Sequence, residues 1–391
     1  MTVKLAIFGG NPISSKKLTK PSPIGKQEIG VVTKIMEKGI LSRAGRGVNV
    51  KNFEKRFAQF HGLRYAVSTT SGTTALHTAI AALNIKENDE VLVPDLTFVS
   101  SASVILQQKA VPVFVDIDPK TFCIDTIDLE KKITKRTKAI IIVHLYGHPA
   151  EMNKIKKIAK KYNFKIIEDC AQAVGAKYKG RYVGTFGDIA CFSFYQTKNL
   201  TCGEGGMVIT NNKKLFCNCC SIVDHGLVNG NILEYDYDRL GYNYHLSEIQ
   251  AAIGIEQLKK LKNMNRRRKA NADKYRKLLK DTNLEFQNDS GDIEHAYYVL
   301  TALLPENFKN DRDWFVDAVR SERVEINKIY PNPLHKTKLF SSFHKNKKYP
   351  VTSDITSRLF NFYTTPGITN EYIELTCRAV KKVLDYLSRS I

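Results

Sequence analysis

The chain has 391 residues, 43% of them apolar, enough for a large core with a second, smaller one beside it. No apolar run is long enough to span a membrane, and the first ten residues lack the basic start and cleavage site of a secretory signal. A cytoplasmic protein without membrane attachment is expected. The formal net charge of +21 opens three readings: nucleic-acid binding, solvated lysines on helix faces, or a field that attracts an anionic substrate.

The segment Glu151 to Tyr162 illustrates the second reading. Lys154, Lys156, Lys157, Lys160 and Lys161 surround Ile155 and Ile158, the pattern of an amphipathic helix with a charged outer face. The one dense basic run, Arg266-Arg267-Arg268-Lys269, also lies in a helical stretch, so no nucleic-acid partner is expected. The eight cysteines follow no disulfide framework, and reduced thiols are expected. Cys217-Asn218-Cys219-Cys220 lacks a second pair at zinc spacing, so no metal is expected there. Buried thiols on a helix are the better reading.

In chain order, a short strand Tyr65–Val67 leads to a helix over 72–84. Strands follow at Glu90–Val93, Val111–Val115, Ala139–Val143, Phe164–Ile167 and Ile189–Phe192, with Met207–Thr210 after them. These are short, continuous, β-branched runs of the buried kind. Helix-length segments at 99–109 and 151–162 separate several of them. That alternation predicts an α/β domain with a mostly parallel sheet flanked by helices. Ligands of such sheets gather at the carboxyl ends of the strands. After about residue 255 the chain changes character. A basic helical stretch over 247–280, a strand-like His295–Leu304 and helices near 310–322 and 370–388 read as a smaller α+β domain. The boundary is therefore set at 1–255 for the large domain, with an N-terminal arm, and 256–391 for the small one.

Three segments carry chemistry. Thr69-Thr70-Ser71-Gly72-Thr73-Thr74-Ala75-Leu76-His77 opens a helix with small hydroxyl residues and a glycine. Its exposed N–H groups suit a phosphate, although Ser and Thr also serve as ordinary helix caps. Glu168-Asp169 closes a strand; a carboxylate there can hold a protonated pyridine nitrogen, or merely cap the next turn. Lys198 lies just beyond the buried run ending at Phe192 and before Gly203-Glu204-Gly205-Gly206. A lysine held within a site can lose its proton and form a Schiff base, whereas most lysines of this chain lie on polar helix faces.

These segments, together with Pro94–Phe98, His144–Gly147, Glu168–Gln172, Ser193–Gly206 and Gly241–Gln250, resemble the DegT/DnrJ/EryC1/StrS family over nearly the whole chain. This is the sugar-aminotransferase branch of the fold-type I pyridoxal-phosphate (PLP) enzymes. The resemblance implies an aspartate-aminotransferase-like fold and pyridoxal 5'-phosphate as cofactor. It makes Lys198 the Schiff-base lysine and proton shuttle, and Asp169 the partner of the ring nitrogen. Gln172 would lie near the ring hydroxyl, and Phe98 would stack on the ring face. Gly72, Thr73 and Ser193 would hold the phosphate, and Asn243 would reach it from a neighbouring subunit. A homodimer with shared active sites follows.

The implied reaction moves an amino group from L-glutamate or L-glutamine to a nucleotide-linked 3- or 4-keto-deoxyhexose for amino-sugar synthesis. Two alternatives stand beside it. A glutamine-dependent keto-cyclitol aminotransferase is suggested by Gly9-Gly10-Asn11-Pro12 and Gln196-Thr197-Lys198. A PLP-binding regulator or a nucleic-acid-binding protein is the other, but no helix-turn-helix segment is apparent. A dehydratase relative has His in place of the lysine, and Lys198 argues for amino transfer. Tyr195, Gln196 and His245 depart from the commonest residues at their positions and flank the site. Acceptor contacts are expected from loops near 180–186, 225–240 and 325–340, including His225-Gly226 and Tyr330-Pro331-Asn332-Pro333-Leu334-His335.

Overall fold

The computed structural model describes residues 4–17, 21–42, 47–228, 236–289, 291–343 and 347–389. Seven strands form the main sheet: β1 (Tyr65–Thr69), β2 (Glu90–Pro94), β3 (Val111–Val115), β4 (Thr137–Val143), β5 (Lys165–Asp169), β6 (Ile189–Ser193) and β7 (Gly206–Thr210). Their spatial order is β1-β7-β6-β5-β4-β2-β3. All neighbours are parallel except those of β7, which runs against both β1 and β6. This is the mostly parallel sheet expected from the buried runs. The aminotransferase-like α/β architecture stands, with a smaller antiparallel sheet after it.

The carboxyl ends of β1, β2, β4, β5 and β6 all face one edge, because these strands run the same way. β7 brings its amino end there: Gly206 pairs with both Thr69 and Ser193. Helices Gly72–Ala82, Val99–Gln107 and Met152–Tyr162 connect or flank the strands. In the last of these Met152, Ile155, Ile158 and Ala159 are buried while its five lysines are exposed. Here the high positive charge is a solvated helix face. An aromatic cluster of Phe53, Phe57, Phe192 and Phe194 fills the space between the sheet and the helix Asn49–His61. That helix and the preceding Lys26–Lys38 were not among the elements read from the sequence.

The long helix Glu248–Leu278 begins at a capping box, in which Ser247 and Gln250 satisfy each other's backbone N–H groups. It passes without a break through residue 255. The C-terminal sheet is antiparallel, in the order Glu285–Phe286, Val299–Leu303, Leu359–Tyr363, Ile326–Asn327. The expected strand His295–Leu304 is thus shorter than its apolar pattern. Tyr297 has a left-handed backbone (φ 47°). The residues around it bond the large sheet's loops instead, through Ala296 N to Gly147 O (2.9 Å) and Tyr298 N to Tyr146 O (3.0 Å). Arg268 is another departure. It is buried, not part of a solvated basic face, and its Nη1 donates to the Tyr298 carbonyl (3.2 Å). No described helix is long and apolar enough to cross a membrane.

Candidate active site

The loop after β1 and the end of β6 make a small cradle. Ser71 has an extended backbone and caps the helix Gly72–Ala82 by accepting from Thr74 N (3.1 Å). A Cβ on Gly72 would lie 2.7 Å from the Ser193 Cβ, and one on Gly206 would lie 2.2 Å from the Ser71 carbonyl oxygen. Only glycine permits this approach of three segments. Thr73 Oγ1 lies 2.7 Å from Ser100 Oγ and ties the cradle to the start of the helix Val99–Gln107. The helix start supplies N–H groups and the positive end of its dipole, which suits an anion such as phosphate.

Asp169 ends β5 and is buried. Its carboxylate accepts from Ser101 Oγ (2.8 Å) and from Ala171 N (3.0 Å). Ser101 in turn lies 2.9 Å from Thr97 Oγ1. Burial pushes the Asp169 carboxyl above the usual carboxylate range, and the two hydrogen bonds and the nearby charge of Lys198 offset this only in part. A buried acid of this kind is stabilised as an anion by a cationic partner. Lys198 stands in the turn after β6, and its Nζ lies 4.6 Å over the Tyr298 ring. Among the described residues no carboxylate forms an ion pair with it. The turn is pinned by Asn199, whose Nδ2 donates to Asn265 Oδ1 (2.9 Å) and to Ala296 O (2.7 Å). Thr197 Oγ1 lies 2.9 Å from Tyr298 Oη.

Gln172 is buried three residues beyond Asp169. Its Oε1 accepts from Tyr146 N (2.7 Å) and its Nε2 donates to Tyr330 Oη (2.5 Å). Phe98 caps the helix Val99–Gln107 and is 52% exposed, with its ring 6.1 Å from that of Tyr330. The structure therefore gathers Gly72, Thr73, Phe98, Asp169, Gln172, Ser193 and Lys198 at one edge of the sheet. Asn243 is not hydrogen-bonded to any of them. It is exposed, it bridges Asp224 through its backbone, and its Oδ1 accepts from His245 N (3.5 Å).

Of the flanking positions, Tyr195 is 40% exposed beside Lys198, and His245 pairs with Asp224 at 3.1 Å. His225 is bonded through its N–H to Tyr242 O (3.1 Å), next to Asn243. Residues 229–235 of the expected acceptor loop 225–240 lie outside the described residues. His335 packs against the strand end: its Nδ1 donates to Asp95 Oδ2 (2.6 Å) and its N–H to Asp95 Oδ1 (2.9 Å).

Sequence reasoning missed Ser100, Ser101, Thr97, Tyr146, Tyr298 and Asp95. The two serines had a signal, being hydroxyl residues in the first turn after Phe98. Tyr146 lay within the His144–Gly147 segment without being singled out, and Tyr298 had no signal, being one aromatic residue among many. His144, Glu168 and Cys170 form a close group of metal-ligand type. Glu168 accepts from Gly184 N (2.7 Å), Phe186 N (2.7 Å) and Gly187 N (2.6 Å) and pairs with His144 (3.0 Å). His144 Nδ1 accepts from Ala150 N (3.0 Å), and burial pushes the Cys170 thiol well up. These bonds give Glu168 and His144 a structural role, cross-linking the loops around β5.

Residues 22–381 match the sequence model of the DegT/DnrJ/EryC1/StrS aminotransferase family. The chain belongs to this family. The aminotransferase is 37% identical over 363 residues to the GDP-perosamine synthase of Escherichia coli O157:H7, covering 93% of this chain and 97% of that one. It is 36% identical over 328 residues to the L-glutamine:2-deoxy-scyllo-inosose aminotransferase of Streptoalloteichus tenebrarius, covering 78% and 76%. Among solved structures it superposes on the aminotransferase from Psychrobacter cryohalolentis with a TM-score of 0.88 at 31% identity, over 95% of this chain and all of that one.

Pyridoxal phosphate is the cofactor of this enzyme class. The residues present fit it. The glycine cradle at 72 and 206 sits at a helix start, whose N–H groups suit a phosphate, and among the described residues no cation pairs with the buried Asp169. Among the described residues no carboxylate pairs with the Lys198 amine, and Phe98 presents an open aromatic face.

Proposed function

We propose that the aminotransferase moves the amino group of L-glutamate, or of L-glutamine, onto a nucleotide-linked 3- or 4-keto-deoxyhexose. The observation that carries this reading is the convergence of Lys198, Asp169 and the Gly72–Ser193 cradle at one sheet edge, in a chain whose relatives include a GDP-perosamine synthase. The high net charge fits an acceptor that carries a diphosphate.

In this reading Gly72, Thr73 and Ser193 hold the cofactor's phosphate, Phe98 covers one ring face, and Gln172 lies at the ring oxygen. Asn243 reaches the phosphate of a neighbouring subunit, which makes the active unit a homodimer. When bound, the cofactor carries the amino group between the two substrates, and its ring takes up the electron pair left at a substrate carbon. Asp169 holds the positive charge on the ring nitrogen that makes this uptake favourable. Lys198 Nζ is the attachment point and, once released, takes the proton from the substrate carbon and delivers it to the cofactor side. The Tyr298 ring, 4.6 Å from the Nζ, would hold the amine when it is free and protonated. The ketone half runs the same proton transfer at Lys198 in reverse.

A keto-cyclitol acceptor with glutamine as donor is the second reading, favoured by the likeness to the deoxy-scyllo-inosose enzyme. One screen separates the two. The protein is loaded with pyridoxamine phosphate and offered ketosugar nucleotides and keto-cyclitols in turn. Return of the aldehyde-form spectrum with a ketosugar nucleotide supports the first reading; return with a cyclitol alone replaces it. Mixing Lys198→Ala with Asn243→Ala subunits tests the shared site. If Asn243 serves the neighbour, each mixed dimer regains one site with both native residues. Activity no higher than the average of the two parents refutes sharing.

A further inference from the structure

Tyr330 enters the site from a segment remote in sequence, and its hydrogen-bond partner leaves its phenolic proton uncommitted to Gln172. Gln172 Nε2 donates to Tyr330 Oη at 2.5 Å, and the carboxamide is held in that orientation by Tyr146 N–H, which donates to Gln172 Oε1 at 2.7 Å. The phenol oxygen is therefore an acceptor toward Gln172. A phenol carries one proton of its own, and Gln172 does not use it.

The ring is held firmly. It stacks on Tyr146 with centroids 6.1 Å apart and planes at 17°. Tyr146 Oη donates to the neighbouring Ile329 carbonyl (2.8 Å). Both tyrosines have left-handed backbones, φ 64° at Tyr330 and 59° at Tyr146. Bulky residues adopt that conformation only where the surroundings impose it, and such positions cluster at functional sites. Asp95 anchors the turn that follows: its carbonyl accepts from Leu334 N (3.0 Å) and its carboxylate takes two bonds from His335. Burial, with Tyr298, Tyr146 and Asp169 close by, keeps the phenol protonated.

We infer that Tyr330 is a further hydrogen-bond donor of this active site, its O–H set by Gln172 and given to an oxygen of the molecule bound between Phe98, Asp169 and Lys198. The inference rests on the proposed roles of Lys198 and Asp169. Two oxygens have the right chemistry: the ring oxygen of the cofactor and the carbonyl or hydroxyl oxygen of the acceptor. In either case the small C-terminal region completes a site that the strand ends begin.

The test uses the PLP-loaded enzyme and Tyr330→Phe, which keeps the ring against Tyr146; matching thermal unfolding curves check that the fold is retained. The first measurement is the pH titration of the bound cofactor's visible absorbance without substrate. Asp169, Lys198, Tyr146 and Tyr298 face the same space and are unchanged in the variant. If Tyr330 donates to the ring oxygen, losing it makes that oxygen more basic, and the titration midpoint rises by about one pH unit. The second measurement separates the half-reactions. If Tyr330 donates to the acceptor, the midpoint stays and kcat/KM for the ketone falls about tenfold or more. In that case the amino-donor half-reaction is unchanged. Either result supports the inference and names the oxygen. A midpoint and both half-reactions within twofold of wild type overturn it. If wild type itself shows no visible band that Lys198→Ala abolishes, the reading of Lys198 falls and takes the inference with it.

Discussion

The strand-end loops of the main sheet and the two C-terminal segments around Tyr298 and Tyr330 line the same site in different ways. The first region places its groups in contiguous runs: Ser71 to Thr73, Asp169 to Gln172, Ser193 to Lys198. Each run follows a strand, so its position in space is nearly settled by its position in sequence. The second region contributes single side chains from loops that have no regular structure of their own. Tyr298 reaches Lys198 because Ala296 and Tyr298 bond the Tyr146–Gly147 turn. Tyr330 reaches Gln172 because Asp95 clamps the turn after it. The lesson is a division of labour: the groups proposed to do chemistry sit at the strand ends, and the groups that shape the space around them are docked onto those ends.

This comparison can be broken by substitution. Lys198→Ala is expected to lower transamination by about 10⁴-fold, the upper end for a lost proton carrier; turnover near wild type would remove the first region's claim to the chemistry. Asp169→Asn is expected to lower kcat by about 10²- to 10³-fold, since a neutral amide holds a cationic ring nitrogen poorly. Cofactor titration shows whether binding survives this change.

At the contact between the two regions, Asp95→Ala, just past β2, is expected to act mainly on stability. It strips partners from the His335 ring and from the His335 backbone N–H, while Leu334 N keeps its bond to the residue's main-chain carbonyl. The expected loss is roughly 3 kcal/mol in urea unfolding, with the ketone KM more affected than kcat. A loss confined to kcat would contradict the division.

Two further predictions sharpen the picture of the large region. His61 is buried, its Nδ1–H donates to Phe57 O (3.0 Å), and its Nε2 has no hydrogen-bond partner among the described residues. Burial lowers its pKa from 6.5 to about 4. The folded value lies below the unfolded one, so this contribution is whole above pH 6.5 and is lost as pH falls toward 4. Unfolding measured at pH 7 and pH 5 is expected to show a loss of about 2 kcal/mol from this group, absent in His61→Phe. Last, Gly72→Ala pushes a Cβ to 2.7 Å from Ser193. Cofactor binding is expected to weaken about tenfold, the low end of an overpacking cost, read by equilibrium titration of the apoenzyme.

Much of this molecule was legible in advance. Six of the seven sheet strands appeared as β-branched runs bounded by polar residues, and β7 as Met207–Thr210. The helices at 72, 99, 152, 248, 312 and 370 appeared with their ends shifted by a few residues. Lys198 stood out because it follows a buried strand and precedes a glycine turn. The strand His295–Leu304 misled, because its apolar pattern continues through Tyr297, where the backbone turns left-handed. Arg268 misled for a related reason. A basic run shows charge but not which residue faces inward, and this one lies under the Tyr297–Tyr298 carbonyls.

Sequence alone determined the parallel sheet, the edge at which a ligand is expected, and Lys198 as the lysine to watch. Those properties come from hydrophobic period and short-range backbone chemistry, which are local. Tertiary structure alone decided that Lys198 meets Tyr298, that Ser101 and Thr97 stand behind Asp169, and that Gln172 donates to the Tyr330 hydroxyl. Apart from the local Thr97–Ser101 pair, those contacts join residues 68 to 158 positions apart, and only the packing of separate strand ends and loops brings them together.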